Sequence, residues 1–157
     1  MRTMVLAFTF LLPGVVDAQQ ASYTYINQKA PDKNWNSPGL TALSLPRIGT
    51  TFKIQVPASN IPFTPSYLGL GLNNPNVPVP ALGGYLFTSA DVVMLTPPAP
   101  IAGMTTMSFP IPNSPQLVGV RFYQQVLQIY YSPWSTHSPY SHQFRFLSRG
   151  GVGVIGK

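Results

Sequence analysis

Proline and glycine constrain this chain more than any other feature. Eighteen prolines and thirteen glycines are spread through its 157 residues, and no long segment escapes them. Proline removes a backbone donor and clashes with the preceding helical turn, so a sequence punctuated this often cannot build long helices. Short β-rich segments between such breaks are the pattern of a sandwich or barrel. The segments carry the matching period of two. In "TTFKIQV", Phe52, Ile54 and Val56 alternate with Lys53 and Gln55. In "TMSFPI", Met107, Phe109 and Ile111 alternate with Ser108 and Pro110. "QFRFL" sets Phe144 and Phe146 against Arg145, and "GVGVIG" repeats the pattern with Val152 and Val154 as its apolar face. "ASYTYI", "TALSL", "GYLFTS" and "DVVML" are weaker strands of the same kind. The expected fold is all-β: a single antiparallel sandwich, jelly-roll or immunoglobulin-like, of eight or nine strands.

Two segments need more than alternation. In "YLGLGLN", Leu68, Leu70 and Leu72 share one face, while Gly69 and Gly71 leave the other bare. Either a neighbour approaches that backbone closely or the strand is twisted or bulged. "VRFYQQVLQIYY", Val120 to Tyr131, has no Gly or Pro. A helix would align Val120, Tyr123, Leu127 and Tyr130. A strand needs a bulge near Gln124-Gln125 to restore one apolar face. Its aromatic and β-branched content favours the strand. "NNPNVPVPALGG" and "LTPPAPIAG" read as loops.

Residues 1–18 read as a secretory signal peptide. Arg2 precedes an apolar run, Pro13-Gly14 follows, and Val16-Asp17-Ala18 resembles a cleavage site. The run is too short to span a bilayer, and no other segment could. Residues 19–40 read as an N-terminal arm and 41–157 as the sandwich domain. The expected location is secreted, extracellular or in the cell envelope.

Composition excludes several chemistries. There is no cysteine, so thiol catalysis, disulfides and cysteine zinc sites are out. Charged residues are 8% of the chain, against about 25% in ordinary soluble proteins. Past the signal peptide the only carboxylates are Asp32 and Asp91. A glycosidase pair is therefore a poor reading, and Asp91 reads as the start of a strand or the cap of a turn. No Gly-x-Ser-x-Gly elbow or phosphate-binding loop is present. The chain reads as a non-enzyme with no cofactor and no metal.

Two surfaces remain. "YYSPWSTHSPYSHQF" gathers Tyr131, Trp134, Tyr140, His137 and His142. It reads first as a decorated turn packing on the sheet, then as a protein contact, then as a stacking surface for sugar rings. The net charge of +6 offers the second. Lys53, Arg121, Arg145 and Arg149 fall on or beside strands, and adjoining strands would gather them into a cationic face for anionic envelope polysaccharide. Nucleic acid is a poorer fit, with no recognition motif.

The segments "LPRIGTTFKIQV", "YLGLGLN", "PVPALGGYLFTSADVVM", "SFPIPNSPQLVGVRFYQQVL" and "SRGGVGVIG" occur in an order that resembles a family of small secreted bacterial β-sandwich domains of unassigned function. These occur alone or at the C-terminus of exported proteins. The resemblance spans about residues 38–156 and implies a fold and an export route, not an activity. Members often carry cysteines near the start and just after the Gly-Gly turn, where this chain has Tyr85, and the insert Pro133–His142 is unusual. The function these readings support is a non-enzymatic exported module that assembles or adheres through strand edges and aromatic loops, with "ASYTYI" the strand to donate. Its partner would be itself or an envelope polysaccharide. The alternative is a carbohydrate-binding module.

Overall fold

The computed structural model describes residues 19–26, 39–57, 66–82, 84–98, 103–131 and 143–157. The strands are β1 (Ser22–Ile26), β2 (Thr41–Ala42), β3 (Thr51–Pro57), β4 (Ser66–Gly71), β5 (Val77–Val79), β6 (Gly84–Leu86), β7 (Val92–Leu95), β8 (Met104–Pro110), β9 (Arg121–Tyr131), β10 (Gln143–Leu147) and β11 (Gly150–Val154). All strand pairs are antiparallel. The larger sheet runs β1-β11-β9-β4-β7, with β10 also on β9; the smaller runs β2-β3-β8; β5 and β6 make a separate hairpin. The fold is an all-β sandwich with no α-helix among the described residues. The strands slightly exceed the eight or nine expected, partly because Val77–Val79, read as loop, pairs with β6.

The alternation in β3 produces the core directly. Phe52, Ile54 and Val56 are buried and pack with Leu40, Leu68 of β4 and Val126 of β9. Met107, Phe109 and Ile111 close on the same cluster. Each such side chain contributes roughly 1.5–3 kcal/mol by leaving water. Leu40 and β1 belong to what the sequence suggested was an arm. Ser22–Ile26 edges the larger sheet, and Leu40 is fully buried.

Val120–Tyr131 is extended, not helical. β9 pairs without interruption with β4, from Ser66 opposite Gln128 to Gly71 opposite Tyr123. The bulge expected near Gln124-Gln125 is absent from β9, whose inner face keeps Gln124 between Phe122 and Val126; the extra residue lies instead in its neighbour on the other side. Leu147 faces Leu127 and Gly151 faces Gln124, so three residues of the β10–β11 segment span two of β9. Ser148 holds the offset: its N–H donates to the Val126 carbonyl at 2.8 Å, and its Oγ accepts from the Val126 N–H at 2.9 Å.

The bare glycine face of β4 is covered. Residues Phe87 to Asp91 form a strap across it. A Cβ on Gly69 would sit 3.2 Å from Thr88 Cγ2, and one on Gly71 would sit 2.8 Å from Thr88 Oγ1. Gln125, buried on this outer face of the sheet, clamps the strap. Its Oε1 accepts from the Phe87 N–H at 2.9 Å, and its Nε2 donates to the carbonyls of Tyr85 at 2.8 Å and Ser148 at 3.0 Å. Asp91 caps the far end, its Oδ2 accepting from the Leu72 N–H and the Ser89 hydroxyl, both at 2.9 Å. Leu72 lies beyond the end of β4 and is largely exposed, not on the buried leucine face.

Candidate functional site

β1 docks on β11 at one edge of the larger sheet. Tyr23 lies opposite Gly153 and Tyr25 opposite Gly151. These glycines, not the valines between them, face the core side of the sheet. The expectation that Val152 and Val154 would be the buried face of β11 is thus reversed: both are half-buried on the outer side. The inner side is filled by larger groups from elsewhere. A Cβ on Gly151 would overlap the Tyr23 hydroxyl and come within 2.7 Å of Leu40 Cδ2; one on Gly153 would overlap the Phe122 ring. An aromatic laid over glycine on a neighbouring strand pins register as well as filling space.

Tyr23 reaches into the sandwich. Its ring centroid is 5.5 Å from that of Phe52, and its hydroxyl donates to Gln124 Oε1 at 2.7 Å. Gln124 is buried on the inner face of β9, between Phe122 and Val126. Burial, reinforced by neighbouring Tyr25 and opposed by Arg149, pushes the Tyr23 hydroxyl well above the ordinary tyrosine range. The folded state therefore keeps the proton that the unfolded chain gives up near pH 10. Above that pH the unfolded state binds fewer protons, and stability falls as pH rises. Urea unfolding across the alkaline range checks this: Tyr23→Phe flattens the fall, and an unchanged slope contradicts it.

Tyr25 is held from the other side. Its hydroxyl accepts from the Ala42 N–H at 3.0 Å, and the Arg149 guanidinium lies 4.0 Å over its ring. The same guanidinium donates from Nε and Nη2 to the Leu40 carbonyl, at 3.1 and 2.9 Å. A cation over an aromatic face contributes about 0.5–1 kcal/mol at exposed sites and more when desolvated. Yet β1 itself is lightly buried, with Ser22, Thr24 and Tyr25 exposed. Its hold rests on the ladder, two tyrosines and one arginine.

The cationic face read from the sequence does not assemble as drawn. Lys53 is exposed on the outer face of the smaller sheet, and Arg121 on the outer face of the larger. Arg149 turns inward to Tyr25 and Leu40. Arg145 lies on β10 opposite Ile129, and its side chain is outside the described residues. Tyr131 lies at the end of β9 opposite Gln143. Its side chain, and Trp134, His137, Tyr140 and His142, also lie outside the described residues.

A second feature lies at the opposite edge of the larger sheet, which β7 forms. Val92, Val93 and Leu95 are largely exposed there. Between β7 and the smaller sheet an apolar cleft of about 380 Å³ opens, lined by Phe52, Leu70, Val92, Phe109 and Phe122 among others. Gln124 and Asp91 are the polar residues on its wall. Among the described residues no three His, Cys, Asp or Glu side chains gather to hold a metal, and no helix is long and apolar enough to cross a membrane. Sequence reasoning missed Gln124, Gln125 and the inward role of Arg149. The adjacent glutamines inside an apolar strand were the available signal.

Comparison with protein-family models, with curated proteins and with solved structures finds no match for this chain. The class defined by the fold is an all-β sandwich with a keyed N-terminal edge strand.

Proposed function

We propose that this protein is a non-catalytic, exported assembly module whose copies link by exchanging β1. The observation that supports this reading is the seating of β1 on β11: Tyr23 and Tyr25 pair with Gly153 and Gly151, and the Tyr23 hydroxyl lies over Gly151, where a side chain would not fit. That fit specifies one strand in one register, while the strand itself buries little surface. Residues 27–38 join β1 to the body; twelve residues reach at most about 40 Å. A β1 from one copy placed on β11 of the next makes the same contacts as one placed on its own β11. Exchange is then favoured by concentration, and repeated head-to-tail it gives an open chain of copies. The exported setting rests on the signal-like residues 1–18.

Light scattering on residues 19–157 over a concentration series tests the proposal. Mass rising in whole multiples of the monomer is expected. A chain lacking 19–26 gives no such series and instead binds one copy of a peptide of that sequence. A full mature chain that stays monomeric throughout overturns the reading.

A further inference from the structure

β7 ends the larger sheet at the edge opposite β1, and among the described strands it pairs only with β4. One bond fixes the direction of its backbone groups. The Thr96 N–H donates to the Ser66 carbonyl at 2.8 Å, continuing the register in which Leu95 faces Tyr67 and Met94 faces Leu68. In an antiparallel ladder, successive residues turn their N–H and C=O groups to alternate sides. Thr96, Met94 and Val92 therefore bond to β4. Val93 and Leu95 turn theirs outward, where no described residue meets them. Their side chains are 57% and 64% exposed, on the outer face of the sheet. Natural edges are usually blunted by charged or polar side chains or by proline. β1 exposes Ser22 and Thr24, and β8 exposes Thr106, Ser108 and Pro110. β7 is Val-Val-Met-Leu, and neither it, β4 nor the strap carries a lysine or arginine.

We infer that β7 pairs with β7 of a second copy, antiparallel about a two-fold axis at Met94. This register sets Val93 of each copy opposite Leu95 of the other. The outward N–H and C=O groups of both residues are then all used, and each exposed apolar side chain gains an apolar neighbour. A two-fold contact sets the same patch against itself, so any charge on it would meet its like. Copies of a chain with net charge +6 repel, and this strand adds no cation to the contact. The pairing is short, so the dimer belongs with weak, transient contacts. It stops at two copies, whereas exchange of β1 is open-ended.

Cysteine trapping tests the register. One chain carrying Val93→Cys and a second carrying Leu95→Cys are mixed in equal amounts and oxidised. Directly paired residues lie about 5.5 Å apart, within reach of a disulfide. A linked pair containing one of each is expected, rising with concentration and at least tenfold more abundant than pairs from either variant alone. Sedimentation then isolates the contact from strand exchange. A disulfide between Thr24→Cys and Val152→Cys ties β1 to its own body, and a monomer–dimer equilibrium is expected to remain. Leu95→Lys in the tied chain, at a position open to solvent, is expected to weaken that dimer at least tenfold. No mixed disulfide, or like pairs as abundant as mixed ones, overturns the inference. So does a tied chain that is monomeric up to about 1 mM, or a dimer that Leu95→Lys leaves unchanged. Loss of the open series in the untied chain leaves this dimer standing, so the two proposals fail separately.

Discussion

Gln125→Ala is expected to lower the stability of the sandwich by about 3–4 kcal/mol. The side chain is 2% exposed and makes three hydrogen bonds, all to backbone. An ordinary hydrogen bond contributes about 0.5–1.5 kcal/mol, and a buried group left without its partner costs about 1–3. The Phe87 N–H is the costliest of the three, because Phe87 is buried over Gly150. The loss also frees the strap, and Gly69 and Gly71 then present bare backbone to water. Urea unfolding gives the magnitude, and amide exchange gives the place: protection falls first at Phe87 to Ala90 and on β4. Gln125→Met, of similar length but without the polar atoms, is expected to cost nearly as much. A loss under 1 kcal/mol in both variants would show that the strap is held by something other than this clamp.

The second large effect is at Gly151. An alanine there brings a methyl group onto the Tyr23 hydroxyl and Leu40 Cδ2. Overpacking of this kind costs about 1–3 kcal/mol. Tyr23→Phe alone costs about 1–2 kcal/mol, because it removes the bond to buried Gln124. The two changes share one contact, so they are expected not to add. The double variant is predicted to be more stable than the sum of the single losses by about 1 kcal/mol, since Phe lacks the oxygen that the new methyl group meets. Strict additivity in urea unfolding would mean that β1 is not seated as described. The same variants read on assembly: Gly151→Ala weakens β1 docking, within one chain or between two, and fewer multiples are expected in light scattering.

The parts of this fold that show in the sequence are those whose partners are of their own kind. β3 announces itself because charged and polar residues alternate with large apolar ones, and Phe52, Ile54 and Val56 are the core. β4 signals a close neighbour through Gly69 and Gly71, but nothing local says that the neighbour is Thr88–Ala90. β11 misleads for a physical reason. Glycine alternating with valine reads as valine inward, yet the inward space is taken by Tyr23 and Phe122, and the former comes from the other end of the chain. Gln124 and Gln125 look like a defect in an apolar strand. One instead meets Tyr23 inside the sandwich and the other meets the strap outside, contacts 101 and 38 residues away along the chain. Arg149 reads as surface charge because its use, a carbonyl at Leu40 and a ring at Tyr25, depends on β1 arriving beside β11. Asp91 is the one polar reading that transfers directly, through the local bond from the Ser89 hydroxyl two residues back, although its second partner, the Leu72 N–H, is 19 residues away.

The account depends most on β1 of one copy occupying β11 of another. Thr24 and Val152 face each other across that pair on the outer side of the sheet. The chain has no cysteine, so engineered ones report without interference. One chain carrying Thr24→Cys and a second carrying Val152→Cys are mixed in equal amounts and oxidised. Exchange predicts a disulfide-linked pair containing one of each, growing with protein concentration. If the mixture gives no such pair, while a chain carrying both substitutions closes its own disulfide, β1 never leaves its own body and the account fails.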